Sequence, residues 1–229
     1  MKSTNHKTKS EELFERFCDE NSIRYLRIGT KPKNGLKTPD YEVQLMGHNV
    51  IVEVKQFNPN KEDKKLIDNF LKKGSTGIHG DEPGKRTRKA IEDAMPQLRQ
   101  LAKGVYPALL VLFDNIPCLR FNKPTESYNI KTAMHGLECV KIGFQRDGMS
   151  PPVVIDRGRG GKRKVDPGHN TTLSAIMTME ENGNRIIARC YHNPYASIKI
   201  APEWIRNENT RHYRLGAKQR IEFQEWIEI

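Results

Sequence analysis

The stretch PDYEVQLMGHNVIVEVKQ, Pro39 to Gln56, decides how this chain is read. With period two, Val50, Val52 and Val54 face one way, while Ile51, Glu53 and Lys55 face the other. MGHN (Met46 to Asn49) reads as a four-residue hairpin loop, which pairs Leu45 with Val50 and carries Asp40 opposite Lys55. Directly opposed residues share a face with Cβ atoms ~5 Å apart. Asp40, Glu53 and Lys55 are therefore expected to converge on one side of a short hairpin, where a buried face should be apolar.

Working outward, the helix before the hairpin is predicted to open at Ser10, a good N-cap, and to run to Asn21. Its stripe of Phe14 and Cys18 carries Glu11 at i, i+3, i+7, so Glu11 is expected to look inward, with Glu12 and Glu15 further from the stripe. IRYLRI (Ile23 to Ile28) reads as a strand and KEDKKLIDNFLKK (Lys61 to Lys73) as an amphipathic helix using Leu66, Ile67, Phe70 and Leu71. Gly74 to Gly84 is a loop. The apolar stripe of Ile91, Met95, Leu98 and Ala102 marks another helix, with a kink or restart expected at Pro96. YPALLVLFD (Tyr106 to Asp114) is a continuous apolar run, typical of a strand covered on both faces. Beyond Asn115, NIKTAMHGL suggests a helix, and ECVKIGF, TLSAIMTME and RIIARCYHN suggest strands.

The 229 residues suffice for one sizeable core, and 29% charged with 36% hydrophobic residues suits a soluble globular protein. No apolar run approaches the ~20 residues of a membrane span, and the polar, basic N-terminus lacks the apolar segment of a signal peptide. Cys18, Cys118, Cys139 and Cys190 are widely spaced with no CxxC pair, which points to a reduced, cytoplasmic protein and away from structural zinc. A net charge of +11 suggests a polyanionic partner, nucleic acid before membrane. Arg24, Arg27, Lys31, Lys33 and Lys37 precede Asp40 with no acid among them, and RGRGGKRK (Arg157 to Lys164) is a glycine-rich basic loop.

Two adjacent carboxylates make a hard, oxygen-rich pocket suited to Mg²⁺ or Mn²⁺, with the Val54 carbonyl as a natural further ligand. Such a metal stabilises a phosphodiester's developing charge and lowers the pKa of an attacking water. Lys55 would orient or deprotonate that water, or stabilise the charged transition state, and an inward Glu11 would supply a third acid. Pro39-Asp40 followed by Glu53-Val54-Lys55 resembles the signature of the PD-(D/E)XK nuclease superfamily. The helix-strand-strand-strand-helix-strand order from Ser10 to Asp114 is similar to that superfamily's αβββαβ core, Glu11 matches its first-helix acid, and Gln56 matches the polar residue some members carry after the lysine. The resemblance covers about half the chain.

It implies an α/β, restriction-endonuclease-like fold with a mixed central sheet flanked by helices: a nuclease-like core over 1–117 and a C-terminal α+β elaboration over 118–229, contacting DNA or dimerising. It implies a metal-dependent DNA endonuclease, paired as a homodimer where both strands are cut, with restriction, anti-phage defence, repair or recombination as the setting. The alternative is a non-cleaving nucleic-acid-binding subunit that retains the fold. Asp40, Glu53, Lys55 and Glu11 are the expected catalytic residues. Lys31, Lys33, Lys37, Gln56, Arg86, Arg88, Arg159, Lys162 and Arg163 are the expected nucleic-acid contacts. Arg86, Arg88, Lys89, Gln97 and Arg99 either serve the substrate phosphate or form a solvated helix face. GRGGKR lacks the GxxxxGK[ST] spacing of a phosphate loop, so no nucleotide cofactor is expected. Cys190 and His192, without a second ligand pair in view, read as a strand end before an Asn-Pro turn. RHYRLGAKQR (Arg211 to Arg220) is either a nucleic-acid surface or a charged surface.

Overall fold

A computed structural model describes residues 7–28, 38–75, 82–117, 123–145, 151–217 and 224–229. Lys31, Lys33, Lys37, Cys118 and the end of RHYRLGAKQR fall outside the described residues.

The chain is mixed α/β. Helix α1 (Lys9–Glu20) leads into strands β1 (Arg24–Arg27), β2 (Tyr41–Leu45) and β3 (His48–Phe57), then α2 (Lys61–Lys73), α3 (Lys85–Ala102) and β4 (Ala108–Asp114). There follow α4 (Ser127–His135), β5 (Glu138–Gly143), β6 (Val153–Arg159), β7 (Leu173–Asn182), β8 (Arg185–His192), a 3-10 turn (Pro202–Ile205), β9 (Thr210–Leu215) and β10 (Trp226–Glu228). Eight strands form one mixed sheet in the order β1-β2-β3-β4-β7-β8-β9-β10, while β5 and β6 pair separately. β3, β4 and β7 are mutually parallel, and β8 pairs parallel to β9. The sheet thus crosses the expected boundary near residue 117, because β4 takes β7 as its second neighbour. Among the described residues, no helix is long and apolar enough to cross a membrane.

The period-two pattern of β3 sorts its side chains between two cores. Val50, Val52 and Val54 join Leu13, Phe14, Phe17 and Cys18 of α1 on one face. Ile51 and Phe57 join Ile91, Met95 and Leu98 of α3 and Ile130 and Met134 of α4 on the other. β4 is buried on both faces, as a central strand between parallel neighbours should be. Helix α2 buries only Asp63, so its apolar stripe is largely uncovered: Phe70 is 39% and Leu71 76% exposed.

Three local expectations need correction. The hairpin loop is Met46–Gly47 alone, both residues at positive φ (49° and 85°), and Leu45 pairs with His48. Two left-handed residues match the twist of the flanking strands, and this shortens the loop by two. The register moves by two residues from the expected one. Because side chains alternate with period two, an even shift keeps Asp40, Glu53 and Lys55 on one face. Helix α1 is capped by Thr8 rather than Ser10, through a capping box with Glu11. Helix α3 does not restart at Pro96 but continues through it; the lost N–H and the crowded Glu92 carbonyl are tolerated there. At its start, Gly84 adopts φ 69°, and a Cβ there would meet Asn129 O and Ala133 N at 2.9 Å, so α3 can pack closely on α4.

Candidate active site

β3 outlasts β2. The antiparallel pairing ends at Tyr41 opposite Val52, so Glu53 to Phe57 are paired only with β4. At that step Asp40 turns its carboxylate onto the open edge, where Oδ2 accepts the Val54 N–H at 2.8 Å. The Val54 carbonyl leaves the strand on the same edge as its N–H. Glu53 is 1% exposed, and Lys55 Nζ forms a short ion pair with its Oε1. Gln97 of α3 accepts from Lys55 Nζ at 3.5 Å and donates to Thr38 O at 3.2 Å, tying α3 both to the lysine and to the segment carrying Asp40.

The two carboxyls are electrostatically uncomfortable. Burial, and then the neighbouring Asp40, push Glu53 up to about 7 from its ordinary 4.5. Burial also raises Asp40, against the opposing pull of the Val54 N–H and the Lys55 ammonium. Glu53 Oε2 is buried without a hydrogen-bond partner. A divalent cation would answer this arrangement: it would give Oε2 a partner and favour ionisation of both acids. Asp40, Glu53 and the Val54 carbonyl are all oxygen donors, so the residues fit Mg²⁺ or Mn²⁺.

Glu11 is placed differently from its expected role. Its Oε2 accepts the Thr8 N–H at 2.7 Å and the Thr8 hydroxyl at 2.9 Å, and its Oε1 pairs with Arg27. It stays near enough to help raise Asp40, yet its oxygens are engaged. The inward acid of α1 is Glu15, which accepts from Tyr41 Oη at 2.9 Å and pairs with Lys7. The Thr8-Lys9-Ser10-Glu11 run is a capping-box signature, and recognising it would have assigned Glu11 to the cap.

The expected nucleic-acid contacts divide. Gln56 lies beside the site, accepting Ser10 N–H at 3.0 Å and donating to Asn58 Oδ1 at 2.6 Å. Arg86 binds Asp63 Oδ2 at 2.9 Å and Asn58 O at 2.7 Å and sits over the Phe57 ring, fastening α2 to the end of β3. With Lys55, Lys85 and Lys89 it lines a concavity of about 360 Å³ in which Asp93 is the lone acid. Arg88 is 6% exposed and bonded to Pro83 O and Glu82, so it faces inward rather than toward a ligand. Arg159 belongs to β6, not to a loop, and holds Gly136 O, Gln224 O and Glu138. Lys162 and Arg163 are exposed but pair with Glu82 and Asp166. Arg99 donates to Asn170 Oδ1.

A larger cleft of about 960 Å³ opens beyond the C-terminal ends of β4 and β7. Its cations Lys9, Lys123 and Arg189 each pair with Glu180 or Glu181, and acids outnumber bases along its walls. Its wall also holds Asp114, raised by burial and with Oδ2 buried and unpartnered. Only the Asp40–Glu53 site, however, sets two raised carboxyls beside each other and a lysine, which makes it the better candidate on chemical grounds.

On the opposite sheet face lies a cluster that sequence spacing concealed. β8 places Cys190 and His192 two residues apart, and β9 sets His212 directly against Cys190. One donor atom from each lies within 4.8 Å of the others. Burial drives the Cys190 thiol up to about 12 and His192 down to about 4. His212 is likewise lowered by burial.

Comparison of the chain with family models, curated proteins and solved structures finds no match.

Proposed function

We propose that this chain is a Mg²⁺-dependent DNA endonuclease of the PD-(D/E)XK type, with a restriction-endonuclease-like core. The observation that carries the reading is the convergence of Asp40, Glu53 and Lys55 at the open edge of β3, with both carboxyls raised and one Glu53 oxygen unpartnered. Asp40, Glu53 and the Val54 carbonyl would hold the metal. When bound, it supplies Lewis-acid stabilisation of a phosphodiester and a more acidic water.

The remaining work falls to side chains of this chain. Lys55, paired with Glu53 and steadied by Gln97, sets a positive charge where the scissile phosphate gains negative charge, and its Nζ orients the attacking water. Gln97 holds the Asp40 segment against α3 through Thr38 O. Glu11 acts through the α1 cap and Arg27, and so positions rather than ligates. The concavity beside Lys55, with Lys85, Arg86 and Lys89, is suited to a phosphate backbone. Cutting both strands of a duplex takes two sites, so a homodimer belongs to the proposal.

The test is cleavage of plasmid, linear and branched DNA with Mg²⁺ and with EDTA, by the wild type and Lys55→Ala. Metal-dependent cleavage lost in the variant, with DNA binding kept, is the expected result. Equal cleavage by both proteins would sink the assignment. Tight, salt-sensitive binding without cleavage by the wild type would move the reading to a non-cleaving subunit of the same fold.

A further inference from the structure

We propose that Cys190, His192 and His212 form a second, independent metal site, built for a borderline transition-metal cation such as Zn²⁺. The donor set is one sulfur and two imidazole nitrogens, a combination that selects Zn²⁺ and its first-row neighbours over Mg²⁺. The three residues come from two hydrogen-bonded parallel strands, so their backbones are fixed before any metal arrives. Cys190 and His192 sit two apart on β8 and therefore share a face, and His212 is the direct cross-strand partner of Cys190.

The orientation of the rings adds a second observation. His212 Nε2 lies 3.4 Å from Ile205 O, and its Nδ1 lies 2.9 Å from His192 Nε2. A carbonyl can only accept, so His212 carries its proton on Nε2 and turns the Nδ1 lone pair into the cluster. An imidazole that donates one N–H to a backbone carbonyl and offers its other nitrogen is the arrangement metal-ligating histidines adopt. His192 Nε2 is then the donor in that contact; on metal binding its proton passes to Nδ1, which frees the Nε2 lone pair for the metal, and the Cys190 thiol releases its proton to solvent. Donors around a tetrahedral Zn²⁺ stand about 3.3–3.8 Å apart, given ligand distances of ~2.0–2.3 Å. The present cluster, within 4.8 Å overall, reaches that arrangement by side-chain adjustment.

The fourth position falls to a water or to Glu203. Glu203 lies on the 3-10 turn, close enough that its charge acts on both imidazoles. The site stands on the α1 face of the sheet, where Cys190 packs with Val50, Val52 and Val54, whereas Glu53 and Lys55 project from the other face. A metal here would add a side-chain tie between β8 and β9, strands already paired in the sheet and connected through residues 193–209.

The experiment is a Co²⁺ titration of the reduced, EDTA-stripped full chain, followed by absorption. One equivalent should produce a thiolate-to-cobalt charge-transfer band together with the strong visible bands of a tetrahedral ion, and Zn²⁺ should bleach both. Cys190→Ser should abolish the charge-transfer band. His192→Gln, at a partly buried position outside the fully buried core, should weaken Co²⁺ binding at least about tenfold. Cys139→Ser and Glu53→Gln should leave the spectrum unchanged, which separates this site from an exposed thiol and from the carboxylate site. A folded wild type with no charge-transfer band overturns the proposal, and so does a band that survives in Cys190→Ser. Should Cys190→Ser fail to fold, wild-type affinity in His192→Gln overturns it equally.

Discussion

The two faces of the central sheet carry polar clusters of opposite chemical character, and β3 and β8 show how each arises. On the α3 face, β3 outruns its neighbour and leaves Glu53 beside Asp40, two oxygen acids that burial makes reluctant to ionise. On the α1 face, β8 and β9 are in full register and set a thiol that burial keeps protonated beside two imidazoles that burial makes reluctant to protonate. One site comes from a strand left open on one edge, the other from two strands paired in register. The lesson is that hard and soft donor sets can be kept apart in a small protein by the pleat of a single sheet.

The largest effect that would break this comparison is catalytic. Glu53→Gln or Lys55→Ala should lower Mg²⁺-dependent cleavage by at least about 10²-fold, measured as initial rates on supercoiled plasmid, while the cobalt spectrum of Glu53→Gln stays unchanged. Joint loss of cleavage and cobalt binding would mean that the faces are coupled.

Next comes stability in EDTA, where the faces should respond to pH in opposite directions. Glu53 titrates near 7 in the folded protein and near 4.5 when unfolded, so its penalty is absent below 4.5 and grows as pH rises through 7. Glu53→Gln should therefore raise stability by about 2 kcal/mol at pH 8, or a Tm gain of roughly 4–8 °C, and confer little at pH 4.5. His192, held near 4 against an ordinary 6.5, works in the other direction. Its contribution is full above 6.5 and is lost as pH falls toward 4, so His192→Gln should flatten the acid limb. Calorimetry at pH 4.5, 6 and 8 reads both, and parallel pH curves for the two variants would erase the distinction.

A smaller effect concerns DNA affinity. Lys85→Ala with Lys89→Ala should reduce the slope of log K against log salt by about 2, whereas Arg88→Ala, which removes an inward residue, should leave the slope alone. Fluorescence anisotropy across a salt series measures this. The smallest is Thr8→Ala, which deletes the α1 cap and should cost about 1 kcal/mol with cleavage kept, since Glu11 serves that cap rather than the chemistry.

What was legible in the sequence followed from short-range periodicity. The alternation of Val50, Val52 and Val54 located β3 and its two faces, and the apolar run to Asp114 located β4. A four-residue and a two-residue loop put Asp40, Glu53 and Lys55 on the same face because they differ by an even number; a one-residue slip would disperse them. The inward turn of Arg88 and the place of Arg159 in β6 were not legible, because composition counts charges without saying which way a helix or strand turns them. β6 was hidden inside a basic, glycine-rich segment, since Val153 to Ile155 stay exposed and no core demanded an apolar pattern. The thiol–imidazole cluster was invisible because His212 is 20 residues from His192 and meets it only through a parallel crossover.

The pairing of β4 with β7 also bears on how the chain is made. Ala108 N–H donates to Ser174 Oγ, 66 residues further along. Until β7 has left the ribosome, β4 presents an apolar edge with nothing to bond to, in a segment that is buried on both sides once complete. Such an edge is a template for intermolecular pairing. A fragment ending near residue 117 would keep Asp40, Glu53 and Lys55 yet be prone to aggregate, so production of the N-terminal half alone calls for β7 to be supplied as well.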